Sequence, residues 1–302
     1  MNPKHVLIKS ALAVPAAALA HRWLPRIATA ALLSAAATAA VAAPAAAARN
    51  SSAAITAGQP PGYQLVHTGP LSAPPGAESI GSAKCPAGTV VWGGGASITG
   101  GLRPQLTVNS SVPNGSGGWA AKVNNTFNTT LQFVVDAVCA NKPAGYKIVS
   151  RMVDNPPNTQ SHATATCPTL DVLLGGGTLS TSTALAAVLT SAWPSSSAKF
   201  TGYMDNGTTT DAKLTVFAIC GQKPARYAIT SNGVSLPPGM LFAGPACPTG
   251  SSVVDGGAQD PAHLPSVQIV GSTVQDASSW AVGVANDGQS AEQVDDYAVC
   301  AA

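Results

Sequence analysis

Charge is scarce in this 302-residue chain: Asp, Glu, Lys and Arg make up 9% of it, against about 25% in an average soluble domain. The formal charge is +2, but Lys4, Lys9, Arg22 and Arg26 all lie in an N-terminal leader, and without them the balance is about −2. No cluster of Lys and Arg remains outside the leader, which argues against nucleic acid or an anionic membrane surface as a partner. Aromatics are also few, at 5%, so each Trp or Tyr carries a large part of any core. Motifs for catalysis are missing too. No Gly-x-Ser-x-Gly elbow is present. The five histidines (His5, His21, His67, His162 and His263) fall at no common repeat position, so no repeated metal site is expected. No cofactor is implied, and no catalytic residues emerge.

What is plentiful is Ala, Gly, Ser and Thr. Residues 1–43 read as an export signal. A basic stretch precedes the apolar run Ile27 to Ala42, and Ala40-Val41-Ala42 offers a small-residue cleavage site before Ala43. Residues 44–62 have almost no large apolar side chain and read as a flexible linker. Export places the mature protein outside the cell or on its surface, free of the membrane once the signal is removed.

Three copies of one pattern follow. Cys85-Pro86-Ala87-Gly88 runs into Gly93-Gly94-Gly95, Cys167-Pro168 into Gly175-Gly176-Gly177, and Cys247-Pro248-Thr249-Gly250 into Asp255-Gly256-Gly257. Second cysteines stand at Cys139, Cys220 and Cys300, with separations of 54, 53 and 53 residues inside the copies. Twenty residues before each second cysteine is Trp119, Phe200 or Trp280, and fourteen before it is Asn125, Asn206 or Asn286. Periodicity at this length is the signature of a repeat architecture. The repeats are placed at 63–145, 146–226 and 227–302.

Strand propensity dominates. Val- and Phe-rich segments such as Leu131 to Cys139 alternate in part, and Asn-led stretches lie between apolar segments. Five or six short strands per repeat are expected. The Asn positions are read as hairpin turns, with the aromatic-led strand before each turn pairing with the strand that ends in cysteine. Thr183 to Ser191 has helix-like composition, yet its counterparts read as strand, so strand is expected there too.

A repeat of about 80 residues is small for a stable core, which gives a covalent staple a purpose. The repetition selects the pairs Cys85–Cys139, Cys167–Cys220 and Cys247–Cys300, because any other set breaks the equivalence of the copies. Closing such a loop stabilises by about 4 kcal/mol on the chain-entropy model. The glycine triplet is read as a bulge or close backbone approach, not a phosphate cradle, since no helix follows it. Trp119, Phe200 and Trp280 are read as core. Trp92 and Trp193 occur in one repeat each and are the candidate ligand-binding aromatics. The third repeat has no Lys or Arg and is read as a solvated acidic face. Positions where the repeats disagree, such as Gly93 against Asp255 and Asp136 against Phe217 and Tyr297, are where function is expected.

The motifs Cys-Pro-x-Gly-x-x-Val-x-Gly-Gly-Gly, Gly-Trp-x-Ala-x-x-x-Asn and Tyr-Ala-Val-Cys-Ala resemble an uncharacterised secreted repeat domain frequent in actinobacteria. The resemblance covers 63–302 and implies export and a disulfide-stapled β domain, with no known activity. A weaker similarity is to vitelline membrane outer layer protein I, a three-fold β-prism. This chain departs from that family in its longer repeats and in lacking the acidic motif before the second cysteine.

The expected fold is all-β, with three tandem disulfide-stapled β-sandwich-like repeats. The alternative is a single three-fold β-prism. Closure of each repeat by its own disulfide favours separate tandem units. The expected function is a non-catalytic extracellular binding or structural protein, with a glycan or a cell-envelope component as ligand. A lectin-like carbohydrate binder is the alternative, and a secreted hydrolase comes third.

Overall fold

The computed structural model describes residues 58–100 and 103–302. The export signal and most of the linker lie outside the described residues. Repeat 1 contributes β1 (Gln64–His67), β2 (Leu71–Ala73), β3 (Ala77–Lys84), β4 (Thr89–Thr99), β5 (Leu106–Pro113), β6 (Gly118–Asn125) and β7 (Leu131–Asn141). Repeat 2 contributes β8 (Lys147–Asn155), β9 (Thr159–Thr166), β10 (Asp171–Ser180), β11 (Ala187–Ser196), β12 (Lys199–Asn206) and β13 (Ala212–Gln222). Repeat 3 contributes β14 (Ala228–Leu236), β15 (Gly239–Ala243), β16 (Ser252–Gln259), β17 (Val267–Asp276), β18 (Ser279–Asn286) and β19 (Glu292–Ala301). The all-β expectation holds, and the helix-like stretch 183–191 runs into β11.

Every sheet is built from two repeats. The first has the order β1-β7-β4-β17-β18-β15, with β2 added beside β7. The second is β3-β6-β5-β10-β13-β8, and the third is β14-β19-β16-β11-β12-β9. Each repeat gives one three-stranded half to one sheet and a second half to the next. Within a repeat the two halves pack against each other, as β4 does on β5 and β6, so sandwich-like packing is present. The three stapled, sandwich-like repeats are as expected, and only the preference for separate units over a prism is corrected: the halves continue into their neighbours, which is the sheet sharing of the three-fold prism given as the alternative. Local patterning specifies each half-sheet equally well in either arrangement.

A second correction concerns the Asn positions. β6 pairs with β3 and β5, whereas β7 pairs with β1, β2 and β4. The link between β6 and β7 therefore crosses from one sheet to another and is no hairpin. Its asparagine is buried and ties the crossing together. Asn125 donates to the carbonyls of Ala73 and Thr129 at 2.7 and 3.0 Å, and accepts from the Phe127 amide. Asn206 and Asn286 make the matching bonds in repeats 2 and 3. The hairpins are β5–β6, β11–β12 and β17–β18, and the first turns through Asn114–Gly117.

The glycine triplets hold this arrangement. All three disulfides pair as expected, with Cα–Cα distances of 5.5–5.7 Å. Beyond each first cysteine the register shifts, between Val91 and Gly93, Leu173 and Gly175, and Val253 and Asp255. This is the expected β-bulge. After it, each position does a different job. A Cβ on the first glycine, Gly93 or Gly175, would fall on the carbonyl oxygen of Val254 or Trp92 in another repeat. The middle glycines Gly94, Gly176 and Gly256 lie against the rings of Trp119, Phe200 and Trp280, all fully buried. A Cβ on Gly95, Gly177 or Gly257 would fall on the carbonyl oxygen of Ser272, Ser111 or Ala192, across the seam to the neighbouring repeat. At those seams the register pairs are Ala96 with Ser272, Thr178 with Ser111 and Ala258 with Ala192.

The aromatic swap is compensated at the same place. Trp119 donates its indole N–H to Ser111 at 2.8 Å, and Trp280 donates to Ser272 at 2.9 Å. In repeat 2 the ring is Phe200 and the partner position is Ala192. Loss of the donor goes with loss of the acceptor, which avoids an unpaired buried group.

Tyrosines opening each repeat complete the ring. The Tyr146 hydroxyl donates to Val91 O, that of Tyr227 to Leu173 O, and that of Tyr63 to Val253 O, each at 2.8 Å. Tyr63 thus joins the first repeat to the third. Residues 58–62, assigned to the linker by composition, belong to this junction: the Asn141 amide donates to Pro61 O at 2.8 Å, as Gln222 does to Ala144 O.

Gly177→Ala should destabilise the protein by about 3 kcal/mol or more, because the seam backbone must separate. Gly117→Ala, at an exposed turn with open space around it, should change stability by less than about 0.5 kcal/mol. Urea unfolding of both variants checks the pair.

Candidate functional site

Shared residues build the scaffold, so a site is sought where equivalent positions differ. Seventeen residues before each second cysteine stand Lys122, Tyr203 and Gly283. Each is built into a different surface. Lys122 pairs with Glu78 at 3.2 Å, beside exposed Ile80 across the strand pair. Gly283 leaves room for Phe242 from β15. Tyr203 is the centre of an aromatic cluster. His162 from β9 stacks on it at 4.8 Å between centroids, His263 from the loop between β16 and β17 at 4.0 Å, and Trp193 from β11 at 5.8 Å.

The elements explain how dispersed residues meet. Tyr203 and His162 are register partners on β12 and β9. His263 arrives because Asp260 folds its loop back, its carboxylate accepting from the amides of Ala262 and Leu264 at 2.8 and 2.6 Å. His263 takes a φ of 54°, in the left-handed region, and its Nδ1 has no partner among the described residues. The histidines were set aside in the sequence because they share no repeat position. Sheet sharing is what makes non-equivalent positions neighbours, and nothing in the spacing announces it.

Tyr203 and Asp205 are two residues apart on β12 and so project from one face. Asp205 lines an open depression of about 400 Å3 to which all three repeats contribute. Thr107, Val188 and Gln268 are equivalent positions in the repeats, as are Thr126, Gly207 and Asp287. Pro104 matches Leu185, and Gln105 matches Ala186. The depression thus sits where β5, β11 and β17 begin. Burial raises the Asp205 carboxyl above the ordinary range.

The predicted binding tryptophans are not surface platforms. Trp92 is 3% exposed and donates to Asn141 O at 3.2 Å. Trp193 is 7% exposed and forms the inner member of the Tyr203 cluster. Trp92 is the bulged residue, which turns its ring into the core. Among the described residues no group of three or more His, Cys, Asp or Glu could hold a metal ion.

Two acids of repeat 3 occupy places held by apolar or small residues elsewhere. Asp255 replaces the first glycine of the triplet and is fully buried. Its Oδ2 accepts from the Gly176 amide at 2.6 Å, while Oδ1 has no partner of hydrogen-bonding geometry among the described residues. Burial raises its pKa well above the carboxylate range, against a lowering by the facing amides of Gly176, Gly256 and Gly94. Asp296 stands where repeats 1 and 2 have Val135 and Val216, and both its oxygens are unpartnered among the described residues. Val234, Leu236, Leu241, Val282 and Val284 surround it. Burial, then the neighbouring charge of Asp295, raises its pKa to about 7. The reading of repeat 3's acids as a solvated face is therefore corrected for Asp255, Asp260 and Asp296, all buried. A third acid, Asp136, is 2% exposed. It joins His67 Nδ1 at 2.6 Å and accepts from the Thr273 hydroxyl of repeat 3, a bond particular to that seam.

No family model matches the chain, and no curated protein matches it in sequence. No helix among the described residues is long and apolar enough to cross a membrane. The three disulfides fit an oxidising compartment.

Asp296 yields a pH prediction. The folded protein keeps on Asp296 a proton that the unfolded chain releases above its ordinary value of 3.8, so the contribution of Asp296 to stability falls as pH rises from about 4 to about 7 and is level above that. Asp296→Val should remove this slope and raise stability at pH 8 by on the order of 3 kcal/mol. Thermal unfolding of both proteins across that pH range checks it.

Proposed function

We propose that this is a secreted, non-catalytic extracellular protein that binds a ligand or serves a structural role. The observation carrying this reading is the division of labour between positions. Those that repeat build the disulfides, bulges, seams and aromatic core, while Lys122, Tyr203 and Gly283 give three different surfaces at one equivalent position. A scaffold that holds its core constant and varies its surface suits recognition, with the ligand a glycan or a cell-envelope component. The apolar leader of residues 1–43 and the disulfides support export.

A lectin-like reading is favoured by one arrangement. The Tyr203 cluster adjoins a depression that offers amides, hydroxyls and two carboxylates, the groups that hold sugar hydroxyls. This moves the candidate sugar site from Trp92 and Trp193 to the Tyr203–Asp205 face.

The test is binding of the purified mature protein to a glycan array and to cell-envelope fractions. Retention on at least one glycan or envelope polymer, reduced by Tyr203→Ala at a temperature where that variant is folded, is the expected result. Turnover of an envelope polymer, or no retention on any surface, would contradict the reading.

A further inference from the structure

We infer that the depression where the three repeats converge binds a small hydroxylated amine, a protonated amino group carried on a sugar or polyol. This rests on the binding reading above and names its ligand class. The volume of about 400 Å3 is in the range of small-molecule sites, roughly 300–1,000 Å3.

The chemistry of the wall selects the ligand. Two carboxylates, Asp205 and Asp287, line it, and no Lys or Arg is among the lining residues. Asp205 is half-buried, and burial alone raises its pKa, with no hydrogen bond opposing the shift. A carboxylate that has lost part of its water is satisfied best by a cation that donates hydrogen bonds. A neutral sugar would leave that charge uncompensated. A bare divalent ion would want more oxygen ligands than two carboxylates supply. The amides of Gln105 and Gln268 can each donate to and accept from ring hydroxyls. Val188, on the same wall, offers an apolar surface to C–H groups.

Both carboxylates are peculiar to one repeat. The counterparts of Asp205 are Asn124 and Ala285, and those of Asp287 are Thr126 and Gly207. The scaffold closes without an acid at either position, so their role is not needed for folding. Asparagine, already present at the first of these positions in repeat 1, is a substitution the fold accommodates.

The experiment is calorimetric titration of the full chain with D-glucosamine and with D-glucose at neutral pH and low salt. Glucosamine should bind with a Kd of about 1 mM, and glucose at least about tenfold more weakly. Asp205→Asn and Asp287→Asn should each weaken glucosamine about fivefold with unchanged melting temperature. Asp154→Asn, at an exposed ion pair with Lys213, serves as control and should change nothing. Glucose binding as well as glucosamine, or glucosamine binding untouched by both variants, would overturn the proposal. Absence of glucosamine binding would do the same. Retention on a glycan array that neither variant alters would keep the binding reading and remove this site alone.

Discussion

Close approach of backbone to backbone at the seams is the constraint on which the rest of the structure depends. Three chains of strands must meet where β4, β10 and β16 run beside β17, β5 and β11. A side chain on Gly95, Gly177 or Gly257 would stand where the neighbour's carbonyl is. Glycine there is a steric requirement, in contrast to the turn glycines, whose demand is on φ. The disulfides act one step out from the seam. Each secures the bulged strand that carries the triplet to the central strand of its own half-sheet, as Cys85 does to Cys139. The tyrosine of the next repeat then bonds to a carbonyl beside that bulge. Covalent staple, bulge, glycine and tyrosine form one connected unit, repeated three times and closed by Tyr63 on Val253.

Much of this was legible from the chain. Cysteine spacing alone selected the disulfides, and the triplet beside a cysteine, with no helix after it, pointed to a bulge. The equivalence of Trp119, Phe200 and Trp280 placed them in the core. Sheet sharing was legible only as the three-fold prism kept as the alternative. Alternation along a strand specifies which face is buried but not which chain segment lies beside its edge. Asn125, Asn206 and Asn286 were misread for a related reason. Asparagine favours turns, and only the pairing of β6 and β7 with other strands reveals that these are corners between sheets. The core acids were hidden by composition, because Asp255 and Asp296 look like surface residues in a repeat that has no basic ones.

The same sheet sharing makes the candidate site. His162 and His263 lie in different repeats, and Tyr203 meets both only because the repeat 2 half-sheet of β11, β12 and β9 abuts the strand that leads into the Asp260 loop. Likewise, the depression beside Asp205 exists because three strand beginnings converge. The candidate site lies where the symmetry of the scaffold is broken. Repeat 2 adds aromatics and a carboxylate to one face, and repeat 3 adds a second carboxylate and the folded loop. Trp92 and Trp193 were singled out by disagreement between repeats. Their burial shows that repeats also differ where one fills its interior with a different side chain, as the paired change to Phe200 and Ala192 does.

Cooperativity is the property that separates a knitted molecule from three stapled units. Scanning calorimetry of the oxidised protein measures it directly, through the ratio of the van't Hoff enthalpy to the calorimetric enthalpy. Shared sheets and cyclic seams predict a single transition with a ratio near one. Three repeats melting independently at similar temperatures would give a ratio of roughly one third, and that result would contradict the account.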